Sequence, residues 1–341
     1  MITKIFSKSM IKRIFLLAFI AAFTVLRFGG VLRAQEAVQG SQANAQLAGV
    51  VTSTQNPEQI AILHWYSANL ITQIAVGTSP EGVAFDGDNI WVANFGSNNV
   101  TKIRKSDGVI VGTFPVGSGP TGVAFDGANI WVSDFNSGTI TKLLASDGST
   151  LGTFTVGTNP WDVAFDGTDI WVANFGSNNV TKLSSSGTLL GTFAVGTNPF
   201  GMAFDGTSIW VSNFGSNNVT KLSTSGTILG SFTVGSNPVG VAFDGTSIWV
   251  ANFGSNNITK LKTTGVVAGT FAVGSGPRFL AFDGANIWVA NDSSNNVTEL
   301  KASSGAKLGT FAVGSNPDGG VAFDGANIWV TNHVSNTVSK L

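Results

Sequence analysis

Residues 199–234 read PFGMAFDGTSIWVSNFGSNNVTKLSTSGTILGSFTV, and the fold is decided in this stretch. It divides into four strand-like runs: Gly201 to Phe204, Ile209 to Asn213, Val219 to Leu222 and Ile228 to Val234. Between them stand Asp205-Gly206, Gly215-Ser216-Asn217-Asn218 and Ser225-Gly226, residue types that suit tight hairpins. Short runs separated by turn residues predict four antiparallel strands. The unit then recurs. Its Ile-Trp-Val core places tryptophans at Trp91, Trp131, Trp171, Trp210, Trp249, Trp288 and Trp329, at intervals of 40, 40, 39, 39, 39 and 41 residues. Seven four-stranded units of about 40 residues predict an all-β, seven-bladed β-propeller.

The two ends of the repeat region complement each other. The seventh copy reaches Leu341 directly after its third strand, so it lacks an outer strand. Leu70-Ile71-Thr72-Gln73-Ile74-Ala75-Val76-Gly77 aligns with the outer-strand stretch Leu189 to Gly196. The N-terminal strand is therefore expected to complete the last blade and close the ring, because an open blade leaves unpaired backbone groups and apolar faces. The propeller is assigned to residues 67–341.

Residues 1–34 read as a signal peptide. Lys4, Lys8, Lys12 and Arg13 precede an apolar run from Ile14 to Leu26, shorter than the roughly 20 residues a membrane span needs, and Ala34 is the expected last residue. Export is expected, with no stable span in the mature chain. Residues 35–66 form a polar linker, in which Asn56-Pro57-Glu58 resembles the start of a short helix ending near Tyr66. Without the signal the chain keeps 12 basic and 19 acidic residues, a net charge of −7. An acidic surface without basic clusters excludes nucleic acid as the expected partner. The chain has no cysteine, so no disulfide framework supports it. A monomer without cofactor or metal is expected.

Repetition separates blade structure from candidate chemistry. The seven tryptophans are expected to fill the space between blades. Asp86, Asp126, Asp166, Asp205, Asp244, Asp283 and Asp324 each precede a hairpin glycine, where aspartate stabilises the turn. Asn99-Val100-Thr101 and four later copies match a glycosylation sequon but sit at a repeated turn-to-strand junction, so turn hydrogen bonding accounts for them. One position fails to repeat. The residue after the proline in the loop leading into each inner strand is Glu81, Thr121, Trp161, Phe200, Val239, Arg278 or Asp318. Asp162 and Phe279 replace the glycine that follows in most copies. The second-to-third hairpins share this face, and most read Phe-Gly-Ser-Asn-Asn. Asp134 with Asn136, Asp292 and His333 depart from that pattern. A ligand on the propeller axis needs different chemistry from each blade, so Glu81, Trp161, Asp162, Phe200, Arg278, Phe279, Asp318 and His333 are the candidate ligand-binding residues. His333 and Asp318 lie on one blade, and a histidine–carboxylate pair between them would be a usable acid–base unit.

The repeat resembles the YVTN-type and NHL-type propeller families. Pro199-x-Gly201-x-Ala203-Phe204-Asp205-Gly206, Trp210-Val211-Ser212-Asn213 and Asn218-Val219 follow their pattern, and Trp329-Val330-Thr331-Asn332 matches YVTN with Trp in place of Tyr. The resemblance implies the fold and leaves the activity open, because such repeats serve binding scaffolds and enzymes alike. Similar propellers include lyases of the virginiamycin B type and gluconolactonase-like enzymes, with metal-assisted sites on one mouth. This chain has two histidines, His64 and His333, and does not match the lyase pattern of His and Glu residue by residue. The leading expectation is therefore a non-catalytic binder of a small ligand, glycan or protein at the top of the central channel, with no catalytic residue assigned. The alternative is a metal-assisted lyase or lactonase using Glu81, Asp162 and Asp318 as oxygen ligands. A third is a structural envelope protein joined through its uncharged outer strands.

Overall fold

The computed structural model describes residues 72–341, so the expected signal peptide, linker and short helix lie outside the described residues. Seven separate four-stranded antiparallel sheets follow one another along the chain. Blade four consists of Pro199–Phe204, Ser208–Asn213, Asn218–Ser223 and Ile228–Thr233, each strand hydrogen-bonded to the next. Blade seven runs Val321–Phe323, Ile328–Asn332 and Thr337–Lys340, and its outer strand is Thr72–Ala75. Thr72 pairs with Lys340 and Ala75 with Thr337. The N-terminal strand thus closes the ring as expected.

Each blade is built around its second strand. The tryptophans of blades one to five and seven are fully buried and lie in apolar clusters that join consecutive blades. In all seven blades the indole N–H donates to the hairpin aspartate five residues earlier, at 2.7–2.8 Å. The other oxygen of the same carboxylate accepts the turn's backbone N–H groups, for example from Thr207 and Ser208 onto Asp205. Burial alone would raise the pKa of these carboxyls. The donated hydrogen bonds outweigh it and hold Asp86, Asp126, Asp205, Asp244, Asp283 and Asp324 below the usual range. The sequon residues also have a structural role: Asn94 Nδ2 donates to both Asn99 and Thr101.

Two further kinds of bond tie blades together, each at six of the seven seams. On the face of the Asp-Gly hairpins, lysines such as Lys221 lie over the tryptophan ring and donate to a backbone carbonyl of the following blade, here Thr263 at 2.8 Å. On the opposite face, Asn217 adopts a left-handed backbone (φ 57) and its side-chain oxygen accepts from Asn237 N–H of the following blade at 2.8 Å. Asparagine tolerates that conformation, which explains its recurrence there. Outer-strand phenylalanines complete the joint. A Cβ on Gly226 would collide with the Phe193 ring, and Gly226 also needs its positive φ of 89.

Closure by Thr72–Ala75 gives the first prediction. Removing residues 1–76 strips blade seven of its outer strand and should lower the melting temperature of the whole domain in one calorimetric transition. An unchanged midpoint would refute closure.

Candidate functional site

The non-repeating position owes its placement to a bulge. In blades one to six the inner strand pairs through its proline and then slips register before its fourth residue, as between Pro199 and Met202. The second and third residues leave the ladder, and a bulge of this kind re-aims side chains near a sheet end. Those residues are Glu81-Gly82, Thr121-Gly122, Trp161-Asp162, Phe200-Gly201, Val239-Gly240 and Arg278-Phe279. In blade seven the ladder begins only at Val321, which leaves Asp318-Gly319-Gly320 outside it. A Cβ on Gly82, Gly201 or Gly240 would strike the backbone of the next inner strand. The variable residues therefore ride on tightly juxtaposed backbones around the axis.

They separate into two groups. The first is aromatic. Trp161 and Phe200 have ring centroids 4.3 Å apart, Phe135 meets Trp161 edge-on at 5.2 Å, and Phe279 lies 6.0 Å from Phe200. Phe200 is 5% exposed, so it supports the half-buried Trp161 more than it presents a surface of its own. The second group is ionic and spans blades six, seven and one. His333 Nδ1 lies 2.8 Å from Glu81 Oε1. Arg278 Nη1 lies 2.8 Å from Asp318 Oδ1, with Asp292 3.6 Å from the Arg278 Nε. The guanidinium also stands over the Phe253 ring at 5.1 Å. Ligand atoms of Glu81, Asp318 and His333 all lie within 4.8 Å of one another.

The histidine–carboxylate pair differs from the expected one. His333 hydrogen-bonds Glu81 of blade one, across the closing seam, while Asp318 of its own blade faces Arg278. The Glu81 hydrogen bond raises the His333 pKa, against burial, so it favours the imidazolium form of His333. Burial and the Glu81 charge push Asp318 upward against the pull of Arg278. Glu81 is 5% exposed, and its Oε2 has no hydrogen-bond partner among the described residues.

A cavity of about 120 Å³ on the axis is lined by Glu81, Thr121, Trp161, Asp162 and Phe279, among others. Phe200, Arg278, Asp318 and His333 are not part of its lining. Asp162 is committed elsewhere: its carboxylate accepts from Val163 N–H at 2.9 Å and from Met202 N–H of blade four at 2.8 Å. Burial still raises its pKa to about 6, against those two hydrogen bonds. It acts first as an inter-blade tie. Repetition concealed Phe135, Phe175, Phe214 and Phe253, because they belong to the regular hairpin pattern, yet their rings flank the variable residues.

No family model and no curated protein matches the chain. Solved structures do. A catalytically inactive virginiamycin B lyase from Staphylococcus aureus, with quinupristin, aligns at a TM-score of 0.70 and 18% identity, over 80% of this chain and 98% of the lyase. The fold of this chain is that of the virginiamycin B lyases. A streptogramin B lyase structure aligns at 0.68 and 17%, covering 80% of this chain and 96% of its own. Hydrazine synthase from Kuenenia stuttgartiensis aligns at 0.70 and 20%, covering 78% and 97%. Identities this low carry the architecture and no activity.

Asp134, the first hairpin departure, proves structural. It occupies the buried position held by asparagine in the other blades and accepts from Thr139 and Thr141, while burial raises its pKa to about 6. Because the folded pKa exceeds the unfolded one, Asp134 favours folding below about pH 4 and loses that advantage as pH rises through 6. Asp134→Asn should therefore stabilise the protein at pH 8 by about 3 kcal/mol and leave it unchanged at pH 4. Denaturant titrations at the two pH values measure this.

Proposed function

We propose that this chain is an exported, non-catalytic binding propeller that takes its ligand at the mouth formed by the approach loops and the second-to-third hairpins. One observation carries the reading. Residues that break the repeat in separate blades form an aromatic group and an ionic one there, and Glu81, Trp161 and Phe279 from these groups line an axial cavity. Such a site suits a ligand with a flat apolar or sugar face and a hydrogen-bond donor. The flat face would lie on Trp161 and Phe279, with Phe200 behind Trp161. The donor would reach Glu81 Oε2, a buried acceptor otherwise left unpaired. Arg278 and Asp318 would orient charged substituents. The basic and apolar segments before Ala34 support export.

A second reading, a metal-assisted lyase or lactonase, draws on the close approach of Glu81, Asp318 and His333. Two carboxylates and an imidazole form a suitable donor set for a divalent transition metal. The fit is incomplete. His333 already uses Nδ1 for Glu81, and Arg278 already stands against Asp318. The positive charge of Arg278 beside Asp318 opposes a second cation there, so binding is the better-supported activity.

Two measurements separate the readings. Thermal shift of residues 35–341 with sugars, lactones and peptides should yield a stabilising ligand. Trp161→Ala removes the indole face on which that ligand would stack, and should weaken its affinity roughly tenfold or more while retaining the melting profile. Unchanged affinity would sink the site. Divalent ions should give no His333-dependent stabilisation; a rise in melting temperature abolished by chelator and by His333→Ala would favour the lyase reading.

A further inference from the structure

The face opposite the candidate site repeats one cation-binding arrangement around the ring. In six blades a third-strand lysine stands directly across from the second-strand tryptophan, from the Trp91–Lys102 pair to the Trp329–Lys340 pair. Each ammonium lies 4.6–5.3 Å from the indole centroid. In blades four and five it also lies 3.7 and 3.5 Å from the aspartate that holds the indole N–H. The tryptophan–aspartate pair is thus a half-site that the chain fills six times with its own primary ammonium group.

Blade six keeps the half-site and reverses the charge. Trp288 donates to Asp283 at 2.7 Å, but Glu299 occupies the lysine position across from it. Blade seven takes its outer strand from the N-terminal end, so it has no third-to-fourth hairpin to lie against this seam. Trp288 is only partly buried, whereas the other six core tryptophans are fully buried. Neither Asp283 nor Glu299 has an ion-pair partner among the described residues, and no ammonium of those residues lies over Trp288. Burial and the charge of Asp283 both raise the Glu299 pKa, the signature of carboxylates lacking a counter-charge. Residues 35–71 contain neither lysine nor arginine.

We propose that the notch formed by Trp288, Asp283 and Glu299 binds an alkylammonium group from another molecule, in the manner of the lysines of the other blades. An aromatic face with nearby carboxylates suits a primary ammonium by cation–π attraction and charge. With a carboxylate where its six counterparts carry a lysine, the notch is more negative than any of them.

The test follows the Trp288 indole signal, assigned with Trp288→Phe, by NMR in ¹⁵N-labelled protein. Titration with n-butylammonium chloride should shift that signal saturably, and sodium chloride at equal ionic strength should not. Glu299→Lys should abolish the response by supplying an internal ammonium, and Glu299→Gln should weaken it several-fold. The remaining indole signals report that each variant is folded. Tighter binding of Nα-acetyl-lysine methylamide than of n-butylammonium assigns the source to a protein lysine, and equal binding to a free amine. A linear response, one matched by sodium chloride, or one retained in Glu299→Lys overturns the proposal. The notch and the candidate site lie on opposite faces, so failure here leaves the other reading standing.

Discussion

The bond from each core indole N–H to the hairpin aspartate is the interaction on which the rest of the ring depends. A buried indole donor without an acceptor costs on the order of 1–3 kcal/mol, so the aspartate is required wherever the tryptophan is. That carboxylate simultaneously closes the Asp-Gly turn through backbone N–H groups and so fixes the first hairpin. With the ring fixed, a lysine can rest on it and reach a carbonyl of the next blade. Local turn chemistry is thereby converted into contact between blades. Neighbouring sheets share no backbone ladder, so side chains must supply that order.

The joints are not uniform around the ring. Asparagine side chains bridge six seams of the upper face at 2.8 Å. The seam from blade two to blade three lacks this bridge, because Gly138 stands where the other hairpins carry asparagine. Lysines bridge six seams of the lower face, and the exception is the seam from blade six to blade seven. No seam loses both. Each weak point retains the tie on its other face, as expected where ring closure requires every seam to hold.

Blade number, strand order and closure were legible because each follows from a pattern along the chain: the Trp spacing, the turn residues and the match between Thr72–Ala75 and the outer strands. The seven aspartates and the sequons were legible as structure for the same reason. Partners across a seam were not. His333 meets Glu81, 252 positions away, and Asp162 meets Met202 of the next blade; neither pairing leaves a periodic trace. Sorting residues by whether they repeat also has a blind side. Phe135 and Phe253 repeat and still flank the candidate site, whereas Asp134 breaks the pattern and is buried structure. Repetition detects shared constraint, and a residue under shared constraint can still face a ligand.

The ionic residues of the mouth gather about the closing blade. Blade seven is assembled from both ends of the repeat region, its inner strand is shortened to Val321–Phe323, and Gly319-Gly320 lies outside the ladder. With fewer backbone pairs at its inner edge, this blade meets its neighbours through charge: Glu81 from blade one, Asp318 and His333 from blade seven, Arg278 and Asp292 from blade six. Blades two to four present aromatic rings, and blade six adds Phe279 beside Phe200. The ionic group thus straddles the closing blade, and blade six, which supplies both Arg278 and Phe279, joins it to the aromatic group.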